Sequence, residues 1–206
     1  MPIQKITTGV IDGTTTFANT AISGTITASQ IATVNANTIT SGSIPLAQVP
    51  QLTTAKLPAG SVLQVVSATK LDAFTTSSTT AVDVTGLSVS ITPTSASSKI
   101  LVLSQIWGTG TADTGFYINL VRDSTNLSIS TAGSSINTTI SSYFGNESLW
   151  STIPIMFLDS PATTSSRTYK IQIFTSNGST SVAINKRVDN AFVGGSSSIT
   201  VMEIAA

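Results

Sequence analysis

The chain has 206 residues, and its nine Lys and Arg balance nine Asp and Glu to a formal net charge of zero. It therefore has no net field to attract nucleic acid or an anionic membrane, and neither is expected as a partner. The chain contains no Cys and no His, which excludes disulfides and thiolate metal sites. The absence of His also removes the commonest acid–base side chain near neutral pH.

Charged residues make up only 9% of the chain, against about a quarter in an ordinary globular domain. Ser and Thr take their place, which predicts a β-rich surface suited to a protein carried on a particle. The N-terminal residues Met1 to Lys5 lack the apolar segment of a signal peptide. The longest apolar runs, 100–103 and 153–158, are too short to span a bilayer. A virion component assembled in the host cytoplasm is consistent with both features.

Residues 1–20 place a few apolar side chains between Thr and Gly, enough for docking but too few for a core. We interpret this stretch as a virion-attachment segment that binds another virion protein. A frayed terminus is the alternative. The expected anchor residues are Ile3, Ile6, Val10, Ile11 and Phe17.

Residues 21–57 space branched aliphatic side chains four, five or more residues apart, with turns containing Gly and much Thr and Ser between them. This spacing gives neither a helical stripe nor one face of a strand, so we predict a fibrous shaft of turn-punctuated repeats. A disordered linker is the alternative. One copy has too few apolar groups to bury these side chains, so three copies would share an axis, with each buried Ile worth about 1.5–3 kcal/mol. The expected axis residues are Ile22, Ile26, Ile31, Ile39, Ile44 and Val49.

Residues 58–206 contain runs with period-two alternation bounded by Gly, Asn, Asp, Pro or Ser, which predicts strands and no helix. Two packed antiparallel sheets are the economical arrangement for so many strands, so we predict an all-β head of the jelly-roll β-sandwich type. The predicted strands are 62–67, 82–91, 99–107, 115–122, 127–131, 149–159, 167–175, 181–184 and 198–204.

The carboxylates are scattered singly at predicted strand ends and turns, where capping of turns is their ordinary role. The sequence has no Gly-rich phosphate loop ahead of a helix, no basic stripe with interleaved aromatics and no EF-hand spacing. We therefore expect no enzyme activity, no cofactor and no resident metal.

The few aromatic residues stand near predicted loops, which is typical of surfaces that bind sugars or proteins. Trp107 and Trp150 also suit the core or a subunit interface, and Lys186 and Arg187 also suit a solvated hairpin tip. The candidate receptor-facing residues are Trp107, Asp113, Tyr143, Phe144, Lys186 and Arg187.

Several segments resemble the C-terminal domains of tailed-bacteriophage fibre proteins, particularly those of marine and cyanobacterial phages. They are residues 56–66, 83–93, 98–102, 157–161 and 199–204, and the stretches 39–44 and 52–57 resemble shaft repeats of the same proteins. The resemblance implies a homotrimer with a thin shaft and a knob of three jelly rolls, similar to the tumour-necrosis-factor or complement-C1q head. The short N-terminal region is at least as consistent with a short tail fibre or a capsid fibre as with a long tail fibre.

Our leading hypothesis is a structural, homotrimeric fibre protein on the phage tail or capsid surface that presents a head to a host glycan or protein. A capsid decoration protein with no receptor is a second hypothesis. A monomeric carbohydrate-binding module is a third, and the mass in solution separates it from a trimer.

Overall fold

The computed structural model describes residues 57–189 and 193–206 of the chain. The chain divides into two compact units, Met1–Pro50 and Gln51–Ala206, and the described residues belong to the second. The predicted anchor residues Ile3 to Phe17 and the predicted axis residues Ile22 to Val49 lie outside the described residues. Both sets stay predictions.

The described residues form eleven strands and no helix, joined in antiparallel pairs. In chain order the strands are β1 (Val62–Lys70), β2 (Phe74–Thr76), β3 (Val82–Ile91), β4 (Lys99–Gly110), β5 (Thr114–Arg122), β6 (Thr125–Leu127), β7 (Ile140–Phe144), β8 (Trp150–Asp159), β9 (Arg167–Thr175), β10 (Val182–Ile184) and β11 (Ser197–Ile204). The predicted all-β class is confirmed for this part of the chain.

The strands form two sheets, as the sequence predicted. In the first sheet the order is β1-β11-β4-β10-β2, and β8 pairs with the other edge of β4. In the second sheet the order is β3-β9-β5-β6, and β7 also pairs with β5. The core lies between the two sheets, and its fully buried side chains include Ile106, Phe116, Ile118, Leu120, Ile171 and Ile199.

Strand β9 shows why the sequence forms a sandwich, because its side chains alternate between the core and solvent. Tyr169 and Ile171 are fully buried, while Lys170 and Gln172 point outward to Asp83 on β3. Lys170 Nζ donates to Asp83 Oδ2 at 2.7 Å and Gln172 Nε2 donates to Asp83 Oδ1 at 2.7 Å. The second sheet therefore has one apolar face in the core and one hydrogen-bonded, solvated face.

One buried ionic cluster joins the two sheets. Arg122 Nη1 lies 2.8 Å and 2.6 Å from the two carboxylate oxygens of Asp159. Tyr169 Oη donates to Asp159 Oδ2 at 2.7 Å. Because Asp159 ends β8 in the first sheet and both donors belong to the second, these bonds fasten the sheets to each other. Burial and the neighbouring carboxylate together raise the pKa of Tyr169 far above its ordinary value.

Candidate functional site

The head has two distinct ends, and the first, which we call the terminal end, holds both ends of the described chain. Gly60 N donates to Ala205 O at 2.8 Å and Ala205 N donates to Ser61 O at 2.9 Å. Ile204 also pairs with Lys99, the first residue of β4. The chain therefore enters β1 beside the C-terminal residues and beside the start of β4.

The opposite end, which we call the distal end, carries the loops 111–113, 145–149 and 176–181. Strand β4 ends there, where Thr109 pairs with Trp150 and Gly110 pairs with Val182. The twelve residues of β4 span about 40 Å at about 3.3 Å per residue. The distal loops are therefore separated from the point of chain entry by the full length of the sandwich.

Tyr143 and Asp113 form an exposed polar pair at the distal end. Tyr143 Oη donates to Asp113 Oδ1 at 3.2 Å, and 66% of the Tyr143 side chain is exposed. The hydrogen bond to the Asp113 carboxylate raises the pKa of Tyr143, so the phenol stays protonated near neutral pH. Asp113 has a φ of 55°, in the left-handed region that Asp tolerates in tight turns. The pair offers a ligand one aromatic ring and one carboxylate.

Trp107 and Trp150 stack on the outer face of the first sheet near the same end. Their ring centroids are 6.2 Å apart and their planes differ by 21°. Gly195 covers the Trp107 ring so closely that a Cβ at position 195 would lie 2.4 Å from Trp107 Cγ. Trp150 is half exposed. The backbone of Gly195 therefore covers the Trp107 ring, and Trp150 is the more accessible of the two indoles.

Lys186 and Arg187 lie in the connection between β10 and β11. Lys186 forms an isolated antiparallel bridge with Gly194. Arg187 Nη2 donates to Ser148 Oγ at 3.0 Å and also pairs with Asp189. Arg187 thus ties this connection to the β7–β8 loop through its Nη2 atom, while its buried Nε has no hydrogen-bond partner.

Phe144 does not face a receptor, and the prediction for this residue is wrong. It is 2% exposed and packs against Phe116 in the core with ring centroids 6.1 Å apart. Successive residues of a strand point to opposite faces, so Tyr143 points outward and Phe144 inward. The other candidates lie on four different parts of the head: Trp107 on β4, Asp113 in the β4–β5 loop, Tyr143 on β7, and Lys186 and Arg187 in the β10–β11 connection.

Within the described residues, no three His, Cys, Asp or Glu side chains are grouped so that they could hold a metal ion. The same residues include no helix long and apolar enough to cross a membrane.

Glu203 is a buried carboxylate at the terminal end that the sequence did not single out. It is fully buried, and it accepts hydrogen bonds from Gln64 Nε2 at 2.6 Å, Thr94 N at 2.7 Å and Thr94 Oγ1 at 2.8 Å. Burial alone would raise the pKa of Glu203, but the hydrogen bonds from Gln64 and Thr94 outweigh it and hold the pKa below its usual range. The ionised carboxylate therefore pins the β3–β4 loop to β11.

The Glu203 pKa predicts a pH dependence of stability. A carboxyl group whose pKa is lower in the folded state stabilises the fold above the unfolded-state pKa and loses that contribution as pH falls through the folded-state pKa. We expect the free energy of unfolding to decrease as the pH falls below 4.5, the ordinary pKa of a Glu side chain. The decrease should be smaller in Glu203→Gln. At pH 7 the variant should be less stable by about 1–3 kcal/mol, because its neutral amide accepts more weakly. Urea unfolding from pH 3 to 7 measures both quantities, and parallel curves would contradict the prediction.

A further feature, absent from the sequence-derived candidates, is the outer face of the first sheet. Alternate residues of β8 that point away from the core are apolar and exposed, among them Met156 and Leu158. The sequence carried a signal of this, because the run 153–158 is apolar at every position and predicts a strand covered on both faces. One of those faces lies in the core through Ile153 and Ile155, and on the other Met156 and Leu158 are exposed.

Comparison with known proteins finds similarity among solved structures. No family model matches the chain, and no curated protein matches its sequence. Among solved structures, that of the infectious bursal disease virus Gx strain aligns with a TM-score of 0.35 and 14% identity. The crystal structure of the infectious bursal disease virus VP2 subviral particle aligns with a TM-score of 0.34 and 14% identity. Each alignment covers 69% of this chain and 37% of the viral chain, so this chain spans about two fifths of their length.

Proposed function

We propose that this chain is a structural fibre protein of a virus particle of the bacteriophage type, and that residues 58–206 form its receptor-binding head. The observation that carries the proposal is that the two ends of the head differ. The chain enters beside Ala205 at the terminal end, and the exposed Tyr143–Asp113 pair stands at the distal end, about 40 Å away. A head mounted on a shaft needs this separation of attachment and contact surfaces.

The strand order supports a jelly-roll head. The eight main strands, counted in chain order, are β1, β3, β4, β5, β7, β8, β9 and β11. In these terms the first sheet runs 1-8-3-6 and the second runs 2-7-4-5. This order arises when a long antiparallel hairpin wraps around a common core, as it does in jelly rolls. Jelly rolls are frequent in viral coat proteins, which agrees with the proposal.

The proposed assembly is a homotrimer. The spaced aliphatic side chains from Ile22 to Val49 would meet around a three-fold axis, and the N-terminal segment from Ile3 to Phe17 would bind another virion protein. Closed three-fold symmetry buries one surface of each copy against a different surface of the next, without open-ended stacking. The distal loops of three heads would then face a host-surface glycan or protein together.

The proposal predicts a defined mass and a defined place for each end of the head. In sedimentation, the full chain should have three times the 21.1 kDa mass of one copy. Because the chain has no Cys, Tyr143→Cys and Ser95→Cys each create one site for a gold label. Electron micrographs should show the Tyr143→Cys label at the free tip and the Ser95→Cys label where head and shaft meet. A monomer, or labels in the reverse order, would overturn the proposal.

A further inference from the structure

The outer face of the first sheet is a continuous uncharged surface, which we call the apolar face. Four strands contribute to it in register, in three cross-strand rows. Its residues are Val65, Met202, Leu101 and Leu158 in the first row, Ser67, Thr200, Leu103 and Met156 in the second, and Thr69, Ser198, Gln105 and Pro154 in the third.

The apolar face has unusually large exposed side chains for a surface in water. Met156 is 77% exposed, Val65 54% and Leu158 49%. None of its twelve residues is charged. The outer face of the second sheet differs sharply, since Lys170, Gln172 and Asp83 bind one another there. The first sheet therefore presents a face whose exposure to water is unfavourable.

The shape of the face is also suited to a partner. A groove of about 550 Å³ runs between β4, β8 and β11, and Leu103, Met156 and Thr200 contribute to its walls. Two of the polar groups around it are paired within the protein, since Thr200 Oγ1 is hydrogen-bonded to Ser67 Oγ at 2.8 Å and Ser104 Oγ donates to Ser198 O at 2.7 Å. A charged peptide would find no charged partner on this face. The groove fits an apolar side chain.

The area of the face is about half of what one partner buries in a stable interface. Four strands about 4.8 Å apart and three rows about 6.6 Å apart give a flat area on the order of 400 Å². Side-chain relief makes the accessible area larger than the flat area, and stable interfaces bury about 800 Å² on each partner. A single added strand could not cover this face, and Pro154 in the middle of edge strand β8 lacks the N–H that a pairing strand needs. The occupant must be a broad apolar surface.

We propose that the apolar face of the head binds a second copy of this chain, so that the heads themselves, and not only the shaft, hold the assembly together. This inference rests on the proposed trimeric fibre and adds its contact surface. Each copy presents this face at the same concentration, and in a closed ring of three heads the apolar face of each head would pack against a different surface of the next head, so that every apolar face is covered. Met156 and Leu158, two exposed apolar residues of β8, should be buried in the contact.

Single cysteines in this Cys-free chain test the contact directly. Met156→Cys should react with a maleimide at least tenfold more slowly than Leu71→Cys in the assembled full chain. Leu71 is the matched control, because it is 75% exposed and lies outside the apolar face in the β1–β2 connection. In urea, where the assembly is separated and unfolded, the two rates should become equal. Equal rates in an assembled trimer would overturn the head contact and leave the fibre proposal standing.

Charged substitutions give a second measurement. In sedimentation, the assembly of the double variant Met156→Lys with Leu158→Lys should dissociate at a protein concentration at least tenfold higher than that at which the wild-type assembly dissociates. The assembly of Leu71→Lys should dissociate at the wild-type concentration. Both variants change exposed residues, so their folding should be intact by circular dichroism. A wild-type chain that sediments as a monomer would overturn both proposals. Protection of Met156→Cys in such a monomer would identify the occupant as another segment of the same chain.

Discussion

Replacing Asp159 with Ala should lower the free energy of unfolding by about 3 kcal/mol, because the change leaves a largely buried cation without its partner. Asp159 is 6% exposed and holds both Arg122 and the fully buried Tyr169. Its loss would leave Arg122 and Tyr169 without their acceptor, and these bonds between β8 and the second sheet would disappear. Urea unfolding at pH 7 measures the difference.

The chain offers a control for the Asp159 prediction in the ion pair between Lys170 and Asp83. That pair lies on the outer face of the second sheet, and the Asp83 side chain is 55% exposed. Solvent screening and side-chain entropy leave such a pair worth about 0–1 kcal/mol, so Lys170→Met should change stability little. If Asp159→Ala and Lys170→Met had equal effects, the Arg122–Asp159–Tyr169 cluster would not be a stabilising link between the sheets.

The long strands could be predicted from the sequence because alternation and burial coincide in them. The predicted limits of β3 and β9, 82–91 and 167–175, agree with the structure, and β4 begins at Lys99 as predicted. In β9 the inward residues Tyr169, Ile171 and Ile173 are all aromatic or branched, and polar residues separate them. Such a strand is specified by its own residues, since a shift by one position would expose every apolar side chain.

The short strand β10 was predicted as residues 181–184, but β2 and β7 could not be predicted, because their pairing and not their composition makes them strands. Strand β2 has three residues and is formed by its register with β10, where Phe74 pairs with Ile184. Strand β7 reads Ile-Ser-Ser-Tyr-Phe and pairs with β5. The predicted strand 127–131 is instead the three-residue β6, which ends at Leu127, and Ser128 follows with a φ of 53° that breaks an extended strand.

The sequence predicted which loops carry the candidate residues, but it did not predict which of their side chains point outward. Tyr143 and Phe144 are adjacent aromatics in a Ser-rich stretch, and only the register of β7 against β5 decides which one enters the core. The hydrogen bond from Tyr143 to Asp113 joins positions thirty residues apart, which no local pattern encodes. The apolar face is likewise not encoded by a local pattern, because its rows combine residues from four strands that are distant in sequence.

The last prediction concerns the contact between Gly108 and Phe116, where two sheets approach closely. A Cβ at position 108 would lie 2.2 Å from Phe116 Cε1, and Phe116 is fully buried. Gly108→Ala should therefore destabilise the head by about 1–3 kcal/mol through overpacking. Phe116→Ala should destabilise it by about 3–5 kcal/mol through the cavity that it leaves.

The two substitutions should couple strongly, because the ring that clashes with the added methyl group is absent in Phe116→Ala. In that background Gly108→Ala should be close to neutral, giving a coupling free energy of about 1–3 kcal/mol in a double-mutant cycle. Gly145→Ala is the matched control, since a Cβ there would meet no atom within 4 Å, and it should show no coupling to Phe116→Ala. Additive effects of Gly108→Ala and Phe116→Ala on urea unfolding would mean that the sheets move apart to accept the methyl group. The sheet separation would then be set by contacts other than the Gly108–Phe116 contact.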